Sequence, residues 1–576
     1  MTVYSFLQIT LYISMVGLLA KPMGWYMYRI HRGGFISLNR VFRPVEYLIY
    51  KFSRINPDEK MDWKQYLRAM VLFNLLGIVV VYAVLRTQHF LPLNPQQFNA
   101  VDPYLAWNIA ISFTTNTNWQ SYCPETTLSY FSQMFALTVQ NFLSASTGIA
   151  ILLSFIRGII NKETTNLGNF WVDVLKSTLY VFLPLAVILS IALVSQGVIQ
   201  NHKQYQNVQF FEKKENKSIE YTGHIIPMGP AASQIAIKQL GSNGGGFFNT
   251  NASHPYENPT PLTNFLEMLA ILLIPAGLCY TFGMMTNARK QGRALLITMM
   301  LVFVPLVFTT TLAEYALSSH LEHANTEISI SLGNMEGKET RFGVSNSSLW
   351  AMATTATSNG SVNSMHESFS PLASFNMLFL MQLGEVIFGG VGSGLYGILI
   401  YVIITVFVAG LMIGRTPSFL GKRIDPFEMK MASIIILTMP LITLVSTALS
   451  LVIPSGLNSL SDSGPHGFSE ILYAFTSMAN NNGSSFAGIN ANTPFYNILG
   501  SIVMLIGRYG IAIPVLAIAG SLSQKKSIVI NSGTLPTDTP LFICLLIGVV
   551  LVIGALTFFP ALSLGPIAEQ LFLRLH

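Results

Sequence analysis

Four short tracts decide how this chain is read: TNTNW at 115–119, GSNGG at 241–245, TSNGS at 357–361 and NNNGS at 480–484. Each sits in a helix-like segment of small residues followed by Asn, Ser, Thr and Gly, over 104–120, 231–249, 349–363 and 471–488. Placing Asn118, Asn243, Asn359 and Asn482 in register gives spacings of 125, 116 and 123 residues. That period is too long for a solenoid and points to a duplicated unit. In this register Gly244, Gly360 and Gly483 share a column that Trp119 occupies in the first tract. Asn116 or Asn118, which tolerate left-handed backbone, would then do the glycine's work there.

What surrounds the tracts is apolar. Only 10% of the 576 residues are charged, against roughly 25% in soluble domains, which excludes a soluble globular chain. The apolar content likewise excludes disorder. Ten stretches are long enough to cross ~30 Å of hydrocarbon: 3–20, 67–86, 130–156, 174–198, 263–285, 293–315, 373–412, 430–453, 493–520 and 540–562. The first lacks a basic leader and an A-x-A site, so it reads as a retained span.

The expected fold is an all-α integral membrane protein: ten transmembrane helices in pseudo-fourfold helix–pore loop–helix repeats, with one additional helix at each end. The divisions are 1–65 for an N-terminal helix and basic loop, 66–160, 161–290, 291–425 and 426–526 for the repeats, and 527–576 for a C-terminal helix. Lys21, Arg29, Arg32, Arg40 and Arg43 follow the first span, and Arg157, Lys162, Arg289, Lys290, Arg293, Arg415, Lys422, Arg423, Lys525 and Lys526 fall in loops on the same side. The positive-inside rule makes that side cytoplasmic and the tracts external. The net charge of +6 is therefore topological and does not call for nucleic acid. Three cysteines without CxxC spacing provide no disulfide framework or metal motif.

Polar, non-helical backbone between membrane helices is tolerated only where it is buried in protein or lines a wet path. Four such loops around one axis can present rings of carbonyl oxygens that replace a cation's hydration shell, which suits a hard monovalent cation. The preceding short helices aim their negative C-terminal dipoles at the same place. A single Asn-Gly tract would be an ordinary turn; four in register argue for a selectivity filter. Its candidates are Thr115, Asn116, Thr117 and Asn118; Ser242, Asn243, Gly244 and Gly245; Ser358, Asn359, Gly360 and Ser361; and Asn481, Asn482 and Gly483. Gln120 stands at the rim, as a selectivity residue or a turn residue.

The seventh stretch is interrupted by Gly389, Gly390, Val391, Gly392, Ser393 and Gly394. Glycine costs ~1 kcal/mol per helical position, so these residues mark either close helix packing or, as we favour, an unwound gating loop beneath the filter. Glu385 and Arg508 are the conspicuous intramembrane charges, each 26 residues after its repeat asparagine. That offset places them at similar depth on second helices of neighbouring repeats. Either they form a structural ion pair, or Glu385 stabilises the departing cation while Arg508 bars the straight route. Glu125, Glu257 and Glu367 follow three of the tracts, as a vestibule that gathers cations or as solvated loop charges, and Lys238 works against a simple acidic funnel. His224, His254, His366 and His466 show no metal-ligand spacing and receive no role.

SFTTNTNWQSY (112–122), GSNGGGFFNTNASHP (241–255), SNGSVNSMH (358–366), LMQLGEVIFGGVGSGLYG (380–397), GLMIGRTPSFLGKRI (410–424) and ANNNGSSFAG (479–488) resemble the KdpA family of potassium-binding, channel-like subunits of the bacterial Kdp potassium-transporting ATPase. The resemblance implies K+ as the transported ion, four filter loops facing outside, and a sideways tunnel to the P-type ATPase subunit KdpB. It also implies KdpC and the small KdpF as further partners, in the lipids of a bacterial inner membrane. The chain has no GxxxxGK[ST] loop and no Asp-Lys-Thr-Gly motif, so nucleotide and catalysis are expected on another chain. The alternative is an autonomous K+ channel or ion-coupled symporter of the Trk/Ktr kind.

Overall fold

Helices in this chain repeatedly begin at proline preceded by a side-chain acceptor. Asp102, Thr260, Ser370, Thr493 and Thr539 each accept a hydrogen bond from the backbone of the first turn, with proline at the first helical position. Proline lacks the N–H that would otherwise be orphaned there, and the cap satisfies one of the remaining donors.

The computed structural model describes residues 2–32, 36–216, 219–321, 333–528 and 534–575, with side chains at 36–37, 210–222, 317–321 and 574–575 outside the described residues. Ten helical segments among the described residues are long and apolar enough to cross a membrane. The outer two are Val3–His31 and Pro540–Leu573. Between them the order repeats four times. Spans two and three, Trp63–Phe90 and Ser132–Ile160, flank pore helix 1, Pro103–Thr114. Spans four and five, Phe170–Ser195 and Pro261–Met285, flank pore helix 2, Ala231–Leu240. Span six, Arg289–Ala316, precedes pore helix 3, Gly343–Ala356; span seven follows in two pieces, Pro371–Gln382 and Ser393–Met412. Spans eight and nine, Pro426–Val452 and Pro494–Gln524, flank pore helix 4, Gly464–Ala479.

The first span runs eleven residues beyond the expected end at residue 20. Its buried face, Ser5, Ile9, Tyr12, Val16, Ala20, Gly24, Met27 and Ile30, keeps helical spacing past Lys21 and Pro22. At Gly24 a Cβ would overlap the Gly277 carbonyl oxygen, and Thr281 Oγ1 donates to the Gly24 carbonyl at 3.0 Å. This is a small-residue crossing onto span five. The basic segment after it is a further helix, Ile36–Ser53, held to span four by Tyr180 Oη donating to Glu46 at 2.9 Å. The connection between span four and pore helix 2 contains a β-hairpin, Gln206–Asn216 with Ile219–Ile226.

Three of the basic loops meet at one end of the bundle. Buried Lys422 donates to the carbonyls of Asn161 and Lys525, at 2.5 and 2.7 Å, and Lys525 pairs with Glu428 at 2.6 Å.

Candidate functional site

The four tracts follow the C-termini of the pore helices with the same backbone bond each time. The amides of Thr117, Asn243, Asn359 and Asn482 donate to the carbonyls of Ser112, Lys238, Thr354 and Ser477, five residues back, at 2.8–3.1 Å. This corrects the first register by one residue: Thr117, not Asn118, stands with the three asparagines. Asn118 stands with Gly244, Gly360 and Gly483, and Trp119 with Gly245, Ser361 and Ser484. Backbone conformation agrees. Asn118, Gly244, Gly360 and Gly483 have φ of +52, +69, +88 and +101°, and Asn116, Ser242, Ser358 and Asn481 two positions earlier have +69, +48, +57 and +53°. Asparagine replaces glycine in the first tract because its short polar side chain tolerates this region.

The loops close into a ring. A Cβ added at Gly244 would overlap the Asn359 carbonyl oxygen, at Gly360 that of Asn482, and at Gly483 that of Thr117. Side chains join the same neighbours. Asn116 and Asn118 donate to the Ser242 and Gly244 carbonyls at 2.8 and 3.0 Å, Asn359 to Lys238 at 3.2 Å, Asn482 to Thr354 at 2.9 Å, and Asn481 to Thr117 Oγ1 at 3.0 Å. Thr115 Oγ1 is 2.7 Å from Thr117 Oγ1. Gln120 latches filter 1 to filter 2: its amide donates to the Gly246 carbonyl at 3.0 Å and accepts from the Gly246 amide at 2.8 Å.

Several supporting residues escaped the sequence reading. Ser144 Oγ donates to Asn116 Oδ1 at 2.8 Å, and Asn141 Oδ1 accepts from Asn118 at 2.8 Å. Trp350 Nε1 donates to the Ser361 carbonyl at 2.8 Å. Buried Glu267 accepts from Gln239, whose Oε1 accepts from Ser361 Oγ, both at 2.9 Å. Polar residues within spans, in QNFLS at 140–144 and at Glu267, were the available signal.

Beneath the ring the seventh span is unwound over residues 383–392. Gly384, Glu385, Phe388, Gly389 and Gly392 all have positive φ, from +53 to +86°. Ser393 and Gly394 belong to the first turn of the following helix, which corrects the expected loop by two residues. The loop is tied upward by the Gly389 amide donating to the Ala356 carbonyl at 3.0 Å, and it is pressed against span three, where a Cβ at Gly392 would overlap the Gly148 carbonyl oxygen. Gly390 lies close to Ser358 of the third tract.

Glu385 therefore sits in the loop and not on a helix, while Arg508 is within the unbroken span nine. Both line one cavity of ≈ 50 Å³ below the tracts, together with Asn116, Ser358 and Asn481. On the scale of ~10–15 Å³ per water, that holds a few waters or one ion. No salt bridge joins Glu385 and Arg508 among the described residues, although Arg508 is near enough to act on the carboxylate electrostatically. Arg508 Nη2 donates to the Ser144 carbonyl at 3.1 Å, and Glu385 Oε1 has no hydrogen-bond partner among the described residues. The cavity extends sideways to Ile436 and Met439 of span eight and Thr557 of span ten.

On the other side of the tracts an open vestibule of ≈ 610 Å³ is bounded by Gln120, Gly245, Val362 and Ser484. It is not an acidic funnel. Glu257 is fully buried, paired with Lys238, and accepts from the Phe248 amide at 2.8 Å. Glu125 accepts from the Asn249 amide at 2.9 Å. His254 stacks on Phe248 at 4.2 Å, and burial lowers its pKa. His366, 2.9 Å from Tyr473 Oη, is lowered to about 3, first by burial and then by Lys338. His224 lies on the hairpin opposite Val208. His466 lies on pore helix 4 close to Glu367, Asp462 and Glu470.

Comparison with known proteins fits this geometry. The profile described as KdpA, potassium-transporting ATPase A subunit, matches residues 10–571. A protein of Sorangium cellulosum named potassium-transporting ATPase potassium-binding subunit is 54% identical, over 99% of each chain. One of the same name from Methylococcus capsulatus is 52% identical, over 100% of this chain and 99% of the relative. Among solved structures, the potassium transporter TrkH from Vibrio parahaemolyticus shares the fold at a TM-score of 0.50 and 15% identity, covering 88% of this chain and 96% of that one.

Proposed function

The chain belongs to the KdpA family of potassium-transporting ATPase A subunits, and from that premise we propose that it is the potassium-binding, channel-like, non-catalytic subunit of an ATP-driven potassium-uptake pump. The observation that carries the reading is the closed ring: each filter glycine lies against the carbonyl of the next repeat, and the fourth loop returns to Thr117 of the first. Backbone packed this tightly around an axis can offer carbonyl oxygens to a dehydrated K+. Thr117, Asn243, Asn359 and Asn482, with the positions flanking them, would coordinate the ion, and Gln120 would hold two loops in register at the rim.

Below the filter, the Glu385 carboxylate, whose Oε1 has no hydrogen-bond partner among the described residues, receives the cation, and Arg508 at the same cavity repels it from the straight route. The unwound loop blocks that route sterically, and the sideways extension of the cavity leads between spans eight and ten. There the ion passes to the partner that hydrolyses ATP, a P-type ATPase subunit of the KdpB kind, with KdpC and KdpF completing the complex. In a bacterial inner membrane the filter faces outside and the basic loops face the cytoplasm. The autonomous Trk-type reading rests on shared fold alone.

The test uses the whole complex and measures ATP hydrolysis against K+ concentration. Gly360→Ala, at φ +88° and against the Asn482 carbonyl, should raise the half-saturating K+ concentration by ~10-fold or more, because the ring must open to admit the methyl group. An unchanged K+ dependence would overturn the filter assignment.

A further inference from the structure

Three carboxylates and an imidazole converge at the outer mouth of the fourth repeat. Glu367 comes from the turn after filter 3, Asp462 from just before pore helix 4, and His466 and Glu470 from successive turns of that helix. One oxygen or nitrogen from each lies within 4.8 Å of the others. Acidic side chains gather at many surfaces without binding anything, and Glu470 is what separates this group from those. It is fully buried, and neither carboxylate oxygen accepts from a donor group among the described residues; what it meets is the Glu367 carboxylate, with which it can hydrogen-bond only when one of the two is protonated. It also shares its space with Glu367, since a Cβ at Gly488 would overlap both carboxylates. Buried carboxylate charge demands a counter-charge. In the second repeat Lys238 provides one for Glu257, whereas no lysine or arginine pairs with Glu470 among the described residues.

His466 is oriented from behind. Its Nδ1 is 3.0 Å from Glu569 Oε1 on the C-terminal helix, Ala568–Leu575, while Nε2 faces Glu367 at 3.9 Å. With Nδ1–H donated to Glu569, loss of the Nε2 proton would leave that nitrogen's lone pair aimed at the carboxylates. A carboxylate behind an imidazole is the arrangement that fixes tautomer and ring orientation in metal-ligating histidines.

We propose that Glu367, Asp462, His466 and Glu470 form a binding site for a divalent transition cation of the Zn2+ or Mn2+ class, with Glu569 as a positioning residue. One imidazole with several carboxylates suits such an ion; Mg2+ retains its waters and Ca2+ takes oxygen ligands throughout. A bound cation would join the turn after filter 3, pore helix 4 and, through Glu569, the C-terminal helix. It would do so beside Phe486, which stacks on His466 at 6.0 Å and lines the vestibule.

The test takes the purified full-length complex, strips it with chelator and equilibrates it with Zn2+, Mn2+ or Mg2+ alone. Metal content is read after desalting, with the thermal midpoint as second readout. About one Zn2+ or Mn2+ per complex, no retained Mg2+, and a midpoint raised by the retained ion are expected. His466→Gln and Asp462→Asn should each weaken retention ~10-fold or more, Glu569→Ala should weaken it by less, and Glu569→Gln, which still accepts from Nδ1–H, should restore it. Asp462 is exposed, so its variant keeps the test valid should Glu470→Gln fail to fold. Equal metal retention by wild type and the His466→Gln/Asp462→Asn double variant would overturn the site. So would a wild type that binds none of the three ions while Glu470→Gln raises its midpoint, because Glu470 would then be a buried protonated carboxyl. Neither readout depends on potassium transport.

Discussion

Spans seven and nine are the same element of neighbouring repeats, with Glu385 and Arg508 at the same offset, yet one is unwound for ten residues and the other is a continuous helix of 31. Glycine is present in both. In span seven Gly384, Gly389 and Gly392 have φ of +83, +61 and +86°, and the chain leaves the helix. In span nine Gly500, Gly507 and Gly510 stay helical, and Gly507 serves as a spacer that lets the helix press against the Ala479 carbonyl. The residue type alone does not break a helix. The break comes where glycines are dense and neighbouring backbone, Ala356 above and Gly148 beside, accepts the unwound course.

Substitutions at matched positions can break this contrast or sharpen it. The largest effect is expected at Gly392→Ala, which combines positive φ with overlap on Gly148 and should destabilise the complex by about 3 kcal/mol, read as a lowered thermal midpoint. A midpoint equal to wild type would mean that the loop is not held against span three. Next is Arg508→Gln, which removes the cavity's positive charge and should raise ATP-independent K+ flux into proteoliposomes about tenfold, equivalent to ~1.4 kcal/mol of barrier. Unchanged leak would remove the charge from the blocking mechanism and leave the loop alone.

The smallest effects form a pair. Gly384 has room for a Cβ, with Tyr401 Oη nearest at 3.7 Å, but has φ +83°. Gly384→Ala should therefore cost ~1 kcal/mol from conformation alone. At Gly510 a Cβ meets Thr438 Cγ2 at 2.7 Å, the end of a side chain that can turn away, and Gly510→Ala should lie within about 0.5 kcal/mol of wild type because alanine favours the helix. If the two cost the same, backbone conformation would not be what separates the spans.

Much of this site was legible because it repeats. The four tracts mark the filter, and their small-residue helices mark its supports. The one-residue error in the first tract arose because Thr117, which takes the asparagine column, is flanked by asparagines at 116 and 118, and only its amide bond to Ser112 marks the register. Lys238 and Glu257 looked like opposing vestibule charges, but 19 residues apart in sequence they are one buried pair. Asp462, His466 and Glu470 lie four residues apart in the fourth repeat, but the remaining companion, Glu367, comes from another repeat and the orienting carboxylate from residue 569.

The sequence by itself determined the membrane class, the ten spans and the fourfold order. Each of these follows from local requirements: enough apolar length for hydrocarbon, backbone hydrogen bonds satisfied within helices, and glycine or asparagine where the chain must turn left-handed. Only the tertiary structure decided which carbonyl meets which glycine, that Glu385 and Arg508 share a cavity without pairing, and that four ligand-type side chains converge at the rim. Those outcomes are set by distances across the bundle between residues that are far apart in the chain.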